Sequence, residues 1–184
     1  MLKLPKRHIA RWLQRIPPLR WLLAVLVRVW VPRHYVGAVG VIFNEAGEVL
    51  LLEHVFRPYY PWGLPGGWVE GGEDPADTIR REVKEELGLP IKVKQLVLCR
   101  VQGSGWSDTT PSGLGLVYYC RLVEGMPSLN LTEVQKGYEI LSLTWADPAE
   151  MRYQLSPLEE QGITRAKQVF TQEQEDRKRG LWSS

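Results

Sequence analysis

Three glutamates stand close together in the second half of one short helix whose two ends are both clearly marked, and few protein architectures would tolerate them there. The stretch is Gly67-Trp-Val-Glu-Gly-Gly-Glu73-Asp-Pro-Ala-Asp-Thr-Ile-Arg-Arg81-Glu82-Val-Lys-Glu85-Glu86-Leu-Gly88-Leu89. Asp74 is a natural N-cap, Pro75 suits the first helical position, Asp77 lies in the first turn, and Gly88 with Pro90 supplies the stop. The pattern predicts a helix of about three and a half turns from Pro75 to Leu87. Ala76, Ile79, Val83 and Leu87 recur at spacings of three and four, which makes them the buried stripe that packs on a sheet.

Glu82, Glu85 and Glu86 then share an arc beside that stripe, at the rim of the core. Like charges at these spacings each cost roughly 0.2–0.5 kcal/mol, and acids in the last turns also face the negative end of the helix dipole. A divalent cation reverses the sign of both effects. Hard Mg²⁺ or Mn²⁺ prefers carboxylate oxygen and leaves coordination positions for water and phosphate oxygens. The cluster therefore reads as a metal site.

The spacing runs Gly67, five residues, Glu73, seven residues, then Arg81-Glu82-aliphatic-any-Glu85-Glu86-any-Gly88-aliphatic. This resembles the Nudix box with no departure over its 23 residues. The local sequence also supplies the loop-then-helix context that such a motif requires. The fold implied is the α/β class, a Nudix-type α/β/α sandwich with a mixed sheet.

A chain of 184 residues with 44% hydrophobic residues suits one domain with an appendage. Residues 1 to 35 hold eight Lys or Arg and no acid, leaving 15 basic against 21 acidic residues in the remainder, so the net +2 hides a basic arm on an acidic domain. Pro17-Pro18 divides the arm. Before it, Ile9, Trp12, Leu13 and Ile16 have amphipathic spacing among cations; after it, Leu19 to Val31 is apolar except for Arg20 and Arg28. Thirteen helical residues reach only about 20 Å, short of the roughly 30 Å hydrocarbon core, so the arm is not expected to span a membrane. Three placements stand: peripheral contact with anionic lipid, aided by Trp12, Trp21 and Trp30; packing on the domain or in a homodimer; or targeting. Aliphatic rather than aromatic interleaving argues against nucleic acid as a partner. The organisation expected is a helical arm over 1–35, a catalytic domain over 36–172 and a charged, frayed tail over 173–184. Cys99 and Cys120 read as two buried thiols in a reducing, cytoplasmic setting.

Val36 to Phe43 and Glu48 to Glu53 read as strands joined at Asn44-Glu-Ala-Gly47. Arg57-Pro-Tyr-Tyr-Pro-Trp62 is an aromatic loop leading into Leu64-Pro65-Gly66-Gly67, whose glycines admit a close backbone approach. Trp62 and Tyr59 either stack on a nucleobase or cover a sheet edge, and Arg57 joins them as a substrate-binding candidate. Ile91, Val93, Val97, Cys99 and Val101 alternate as a strand, and residues 103–112 form a long loop offering Trp106 and Asp108 as substrate contacts. Strands are expected at Leu114 to Val123 and Glu139 to Trp145, and Ser156-Pro157-Leu-Glu159 opens a helix running to about Gln172.

The resemblance implies metal-dependent hydrolysis of a nucleoside diphosphate derivative, with water attacking phosphorus. Glu82, Glu85 and Glu86 would hold the ion, joined by the Gly66 carbonyl, while Arg81 orients the carboxylates and Glu73 fixes the loop-to-helix junction. The general base is either a box glutamate such as Glu85 or a later one; Glu139 is the leading later candidate and Glu133 the next. Gly105 stands where many ADP-ribose pyrophosphatases carry a proline, and NADH-type and coenzyme-A-type patterns are missing, so the substrate stays open among nucleotide sugars, CDP-alcohols, dinucleotides and nucleoside triphosphates. The competing class is a catalytically silent nucleotide-binding module, which usually shows an eroded box.

Overall fold

Alternation along the first strand sends neighbouring side chains to two different helices. A computed structural model describes residues 17–30, 34–57, 59–102, 113–123 and 139–180. Its elements are α1 (Pro17–Trp30), β1 (Val36–Phe43), β2 (Val49–His54), β3 (Trp62–Gly63), β4 (Gly66–Trp68), α2 (Pro75–Leu87), β5 (Ile91–Gln102), β6 (Gly113–Leu122), β7 (Ile140–Ala146) and α3 (Pro157–Lys178). Val41 and Phe43 of β1 join Leu158, Ile163, Ala166 and Phe170 of α3 in one core, and Ala38 and Ile42 join Ile79, Val83 and Leu87 of α2 in the other. A strand buried on both faces reads as a continuous apolar run, which is how Val36 to Phe43 is written.

The sheet order is β3-β2-β1-β6-β5, with β4 also on β1 and β7 also on β2. β1 and β6 run parallel, and the remaining pairs are antiparallel. This is the mixed-sheet α/β/α sandwich expected from the sequence. Helix α2 has the expected bounds: Asp74 accepts from the Ala76 N–H at 2.8 Å, and Gly88, at φ 67°, donates to the Lys84 carbonyl at 2.9 Å.

Three expectations are corrected. Helix α3 does not end near Gln172 but runs to Lys178, so residues 173–178 are not a frayed tail. Glu173 is 5% exposed, accepts from the Tyr119 hydroxyl at 2.5 Å and lies 3.3 Å from Arg121 Nη1, which pins the last turns to β6. Cys120 is buried but Cys99 is exposed. Register shifts between Val93 and Gln95 and between Leu96 and Leu98 move the inward phase of β5 to Leu98, so the simple alternation through Val97 and Cys99 fails. On α2 Thr78 is fully buried beside Ile79, while Ala76 is half-buried.

Two compact units divide the chain at 33/34, and α1 belongs to the first. Trp21, Leu22, Leu26, Val27, Val29 and Trp30 of this helix are exposed. Among the described residues no helix is long and apolar enough to cross a membrane.

Candidate active site

Strand β4, which opens the segment leading into α2, lies so close to other groups that side chains are crowded out. Gly66 has φ 145°, and a Cβ there would fall 2.2 Å from the Ala38 carbonyl oxygen across the β1–β4 pair. A Cβ on Gly67 would fall 2.2 Å from Glu82 Oε1. Gly66 therefore requires glycine, whereas a Cβ on Gly67 would displace the Glu82 carboxylate, and both positions bring main chain against the acidic side of α2.

Just before the N-cap of α2, Glu73 ties this segment to the helix. It accepts from Arg81 Nε at 3.0 Å and Nη2 at 3.2 Å, from the Thr78 hydroxyl at 2.7 Å and from the Glu70 N–H at 3.2 Å. The Arg81 and Thr78 bonds hold its carboxyl at about 2, well below the usual carboxylate range, against the opposing effect of burial. Arg81 is reciprocally held in its charged form by Glu73 and Glu82. Its Nη1 donates to Glu82 Oε1 at 2.9 Å and to Glu85 Oε2 at 3.4 Å, so one guanidinium links three carboxylates.

Glu86 differs from its neighbours. Burial, and then the charge of Glu82, push its carboxyl up to about 7, with Glu139 adding to the rise; Arg57 and the Gly66 backbone N–H oppose it. Its Oε2 is buried and has no hydrogen-bond partner. A buried, unpartnered carboxylate oxygen beside a second carboxylate is costly unless a cation meets it. The donor set is all hard oxygen, which fits a small divalent ion. Among the described residues no three of His, Cys, Asp and Glu stand assembled around one point, because Arg81 draws Glu82 and Glu85 to itself while Glu86 turns inward.

The other candidates fall as follows. Glu139 is exposed in the turn before β7, its carbonyl accepts from the Val55 N–H at 2.9 Å, and its charge reaches Glu86. Arg57 pairs with Glu159 at 3.0 Å. Tyr59 is exposed. Trp62, on edge strand β3, packs against Tyr153 with ring centroids 4.7 Å apart. Trp106, Asp108 and Gly105, in residues 103–112, and Glu133, in residues 124–138, lie outside the described residues.

Three residues beside the cluster escape a reading of local pattern. Thr78 is buried although it falls outside the stripe of Ala76, Ile79, Val83 and Leu87, and its hydroxyl donates to Glu73. Glu159 shows in sequence only as the N3 residue of a capping box. His54, at the end of β2, carries no motif; burial, then Arg57, bring its imidazole down to about 3, and its Nε2 is buried without a partner.

A family model for the NUDIX domain matches residues 33–182. The chain belongs to the NUDIX family. Relatives of this Nudix domain include the Xenopus laevis protein nucleoside diphosphate-linked moiety X motif 6, 31% identical over 121 residues, which are 65% of this chain and 53% of that protein. Another is the ADP-ribose pyrophosphatase of Methanocaldococcus jannaschii, 40% identical over 65 residues, 35% of this chain and 38% of that one. The Nudix chain thus spans about half or less of the length of these curated relatives. A solved NUDIX hydrolase from Nitrosomonas europaea superposes with a TM-score of 0.60 at 21% identity, covering 74% of this chain and 90% of that one, a likeness of fold.

Proposed function

We propose that this Nudix domain hydrolyses the diphosphate linkage of a nucleoside diphosphate derivative with a divalent metal ion, Mg²⁺ or Mn²⁺, water attacking phosphorus. The observation that carries it is Glu86: a buried carboxylate with an unpartnered oxygen, next to the charge of Glu82 and against the backbone of Gly66. Glu82, Glu85 and Glu86, with the Gly66 carbonyl, would hold the ion. When bound, such an ion neutralises diphosphate charge and lowers the pKa of water.

The chain's own residues supply the rest. Arg81 orients Glu82 and Glu85, which would hold the ion, and Glu73 keeps Arg81 in place. Glu139, exposed and within electrostatic reach of Glu86, accepts the proton of the attacking water. Tyr59, Trp62 and Trp106 are the candidates for the nucleobase, and Arg57 for the phosphates. Relatives named ADP-ribose pyrophosphatase and 8-oxo-dGDP phosphatase give the substrate classes to be tried first. The arm sets location: α1 exposes Trp21, Val29 and Trp30 among cations, which suits peripheral contact with an anionic membrane, with homodimer packing as the other outcome.

A panel of nucleoside diphosphate derivatives and triphosphates in Mg²⁺ and in Mn²⁺, run in ¹⁸O-labelled water, tests the reading. The label should enter a phosphate product. Turnover with label in neither phosphate product, or nucleotide binding without turnover across the panel, would contradict it.

A further inference from the structure

Glu159, in the first turn of α3, is 3% exposed, and its two oxygens meet four donors. Oε2 accepts from the Ser156 N–H at 3.1 Å and the Ser156 hydroxyl at 2.7 Å, which completes the capping box. Oε1 takes no part in capping. It accepts from Arg57 Nη1 at 3.0 Å and from the Leu64 N–H at 3.1 Å. A Cβ on Gly63 would fall 2.2 Å from that Arg57 nitrogen and 2.6 Å from Oε1, so a side chain there would displace the pair.

Both groups held by Oε1 lead to the acidic cluster. Leu64 stands two residues before Gly66, whose backbone meets Glu86, and Arg57 lies close enough for its charge to act on Glu86 and His54. The Arg57 side chain is 32% exposed, and a guanidinium has five N–H donors, of which this contact engages one nitrogen. A buried carboxylate needs a partner, but capping alone would be served by a side chain that ends at Ser156.

We propose that Glu159 is a positioning residue, reaching from the cap of α3 to hold Arg57 as the cation that meets the substrate's diphosphate and to fix Leu64 so that Gly66 and Gly67 stay against Glu82 and Glu86. This rests on the hydrolase reading above. Arg57 is the group that touches ligand; Glu159 acts through it. Glutamine at 159 has one acceptor oxygen for four donors and no charge with which to orient the guanidinium.

The test measures binding of imidodiphosphate, in saturating Mn²⁺, to the full chain by calorimetry, with melting temperatures recorded in parallel. Glu159→Gln and Arg57→Ala should each weaken binding by about tenfold or more, and the double variant should bind no more weakly than Arg57→Ala alone. A purely structural Glu159 would lower the melting temperature and leave the Kd of Glu159→Gln at the wild-type value, which overturns the proposal. Losses that add in the double variant, or a wild type that does not bind imidodiphosphate, overturn it equally. If Glu159→Gln does not fold, Glu159→Asp, which keeps the charge but is one methylene short of bridging both sides, is judged by the same outcomes. Coupled binding in a wild type that hydrolyses nothing would contradict the hydrolase reading and leave the positioning role standing.

Discussion

Glu73 and Arg81 are joined by two hydrogen bonds, Nε to Oε1 at 3.0 Å and Nη2 to Oε2 at 3.2 Å, across the junction between the glycine loop and α2. The pair decides how the guanidinium faces Glu82 and Glu85, so it controls the cluster from outside it.

Glu73→Gln should therefore lower turnover by about ten- to a hundredfold while leaving the metal ligands present, the range usual for groups that orient ligands. Its folded pKa, about 2, lies below its ordinary value of 4.5, so the stability it contributes is present above about pH 4.5 and is lost as pH falls through 2. The gap in melting temperature between wild type and Glu73→Gln should be constant at neutral pH and close on acidification. A gap unchanged at pH 2 would refute the pairing.

Glu86 should behave in the opposite sense in metal-free protein. Its folded pKa, about 7, is above 4.5, so between these values the folded state binds the extra proton and stability falls as pH rises. Glu86→Gln should remove that decline and raise the metal-free melting temperature at pH 8. Ion binding to wild type at pH 6 should release a proton, measurable as a buffer-dependent heat, and in Glu86→Gln this release should disappear.

How much of this was legible in sequence depends on the range of each interaction. The ends of α2 were readable because Asp74, Pro75 and Gly88 act within a few residues, and the box supplied Glu73, Arg81 and the three glutamates. Thr78 was not assigned, since its burial follows from a bond to Glu73 rather than from helical period. Glu159 and Glu173 find partners 95 to 102 and 54 residues away, which no local pattern encodes. The phase of β5 departs from simple alternation because its bulges form against β6.

Glu139→Gln should reduce kcat while leaving Mn²⁺ affinity within about twofold if the residue accepts the proton, and weaken both if it is a ligand. Wild-type kinetics in that variant would return the role to Glu85 or another glutamate of the box.

Removing residues 1–33 should leave kcat/KM on a soluble substrate within about twofold, since the carboxylate cluster lies wholly in the second unit. Full-length protein should sediment with anionic vesicles and less so with neutral ones, weakening as salt rises; each cation near the surface contributes up to about 1 kcal/mol. A change of oligomeric state on truncation without lipid dependence would assign the arm to homodimer packing.

The most direct test is turnover of Glu82→Gln and Glu86→Gln on the best substrate of the panel, in Mg²⁺ or Mn²⁺ and in EDTA. Wild-type hydrolysis should vanish in EDTA and return on adding the ion, and each substitution should cut turnover by at least about a hundredfold, because each removes a direct ligand. Full activity in EDTA, or unaltered turnover in both variants, would contradict the assignment of these glutamates as the metal-binding centre.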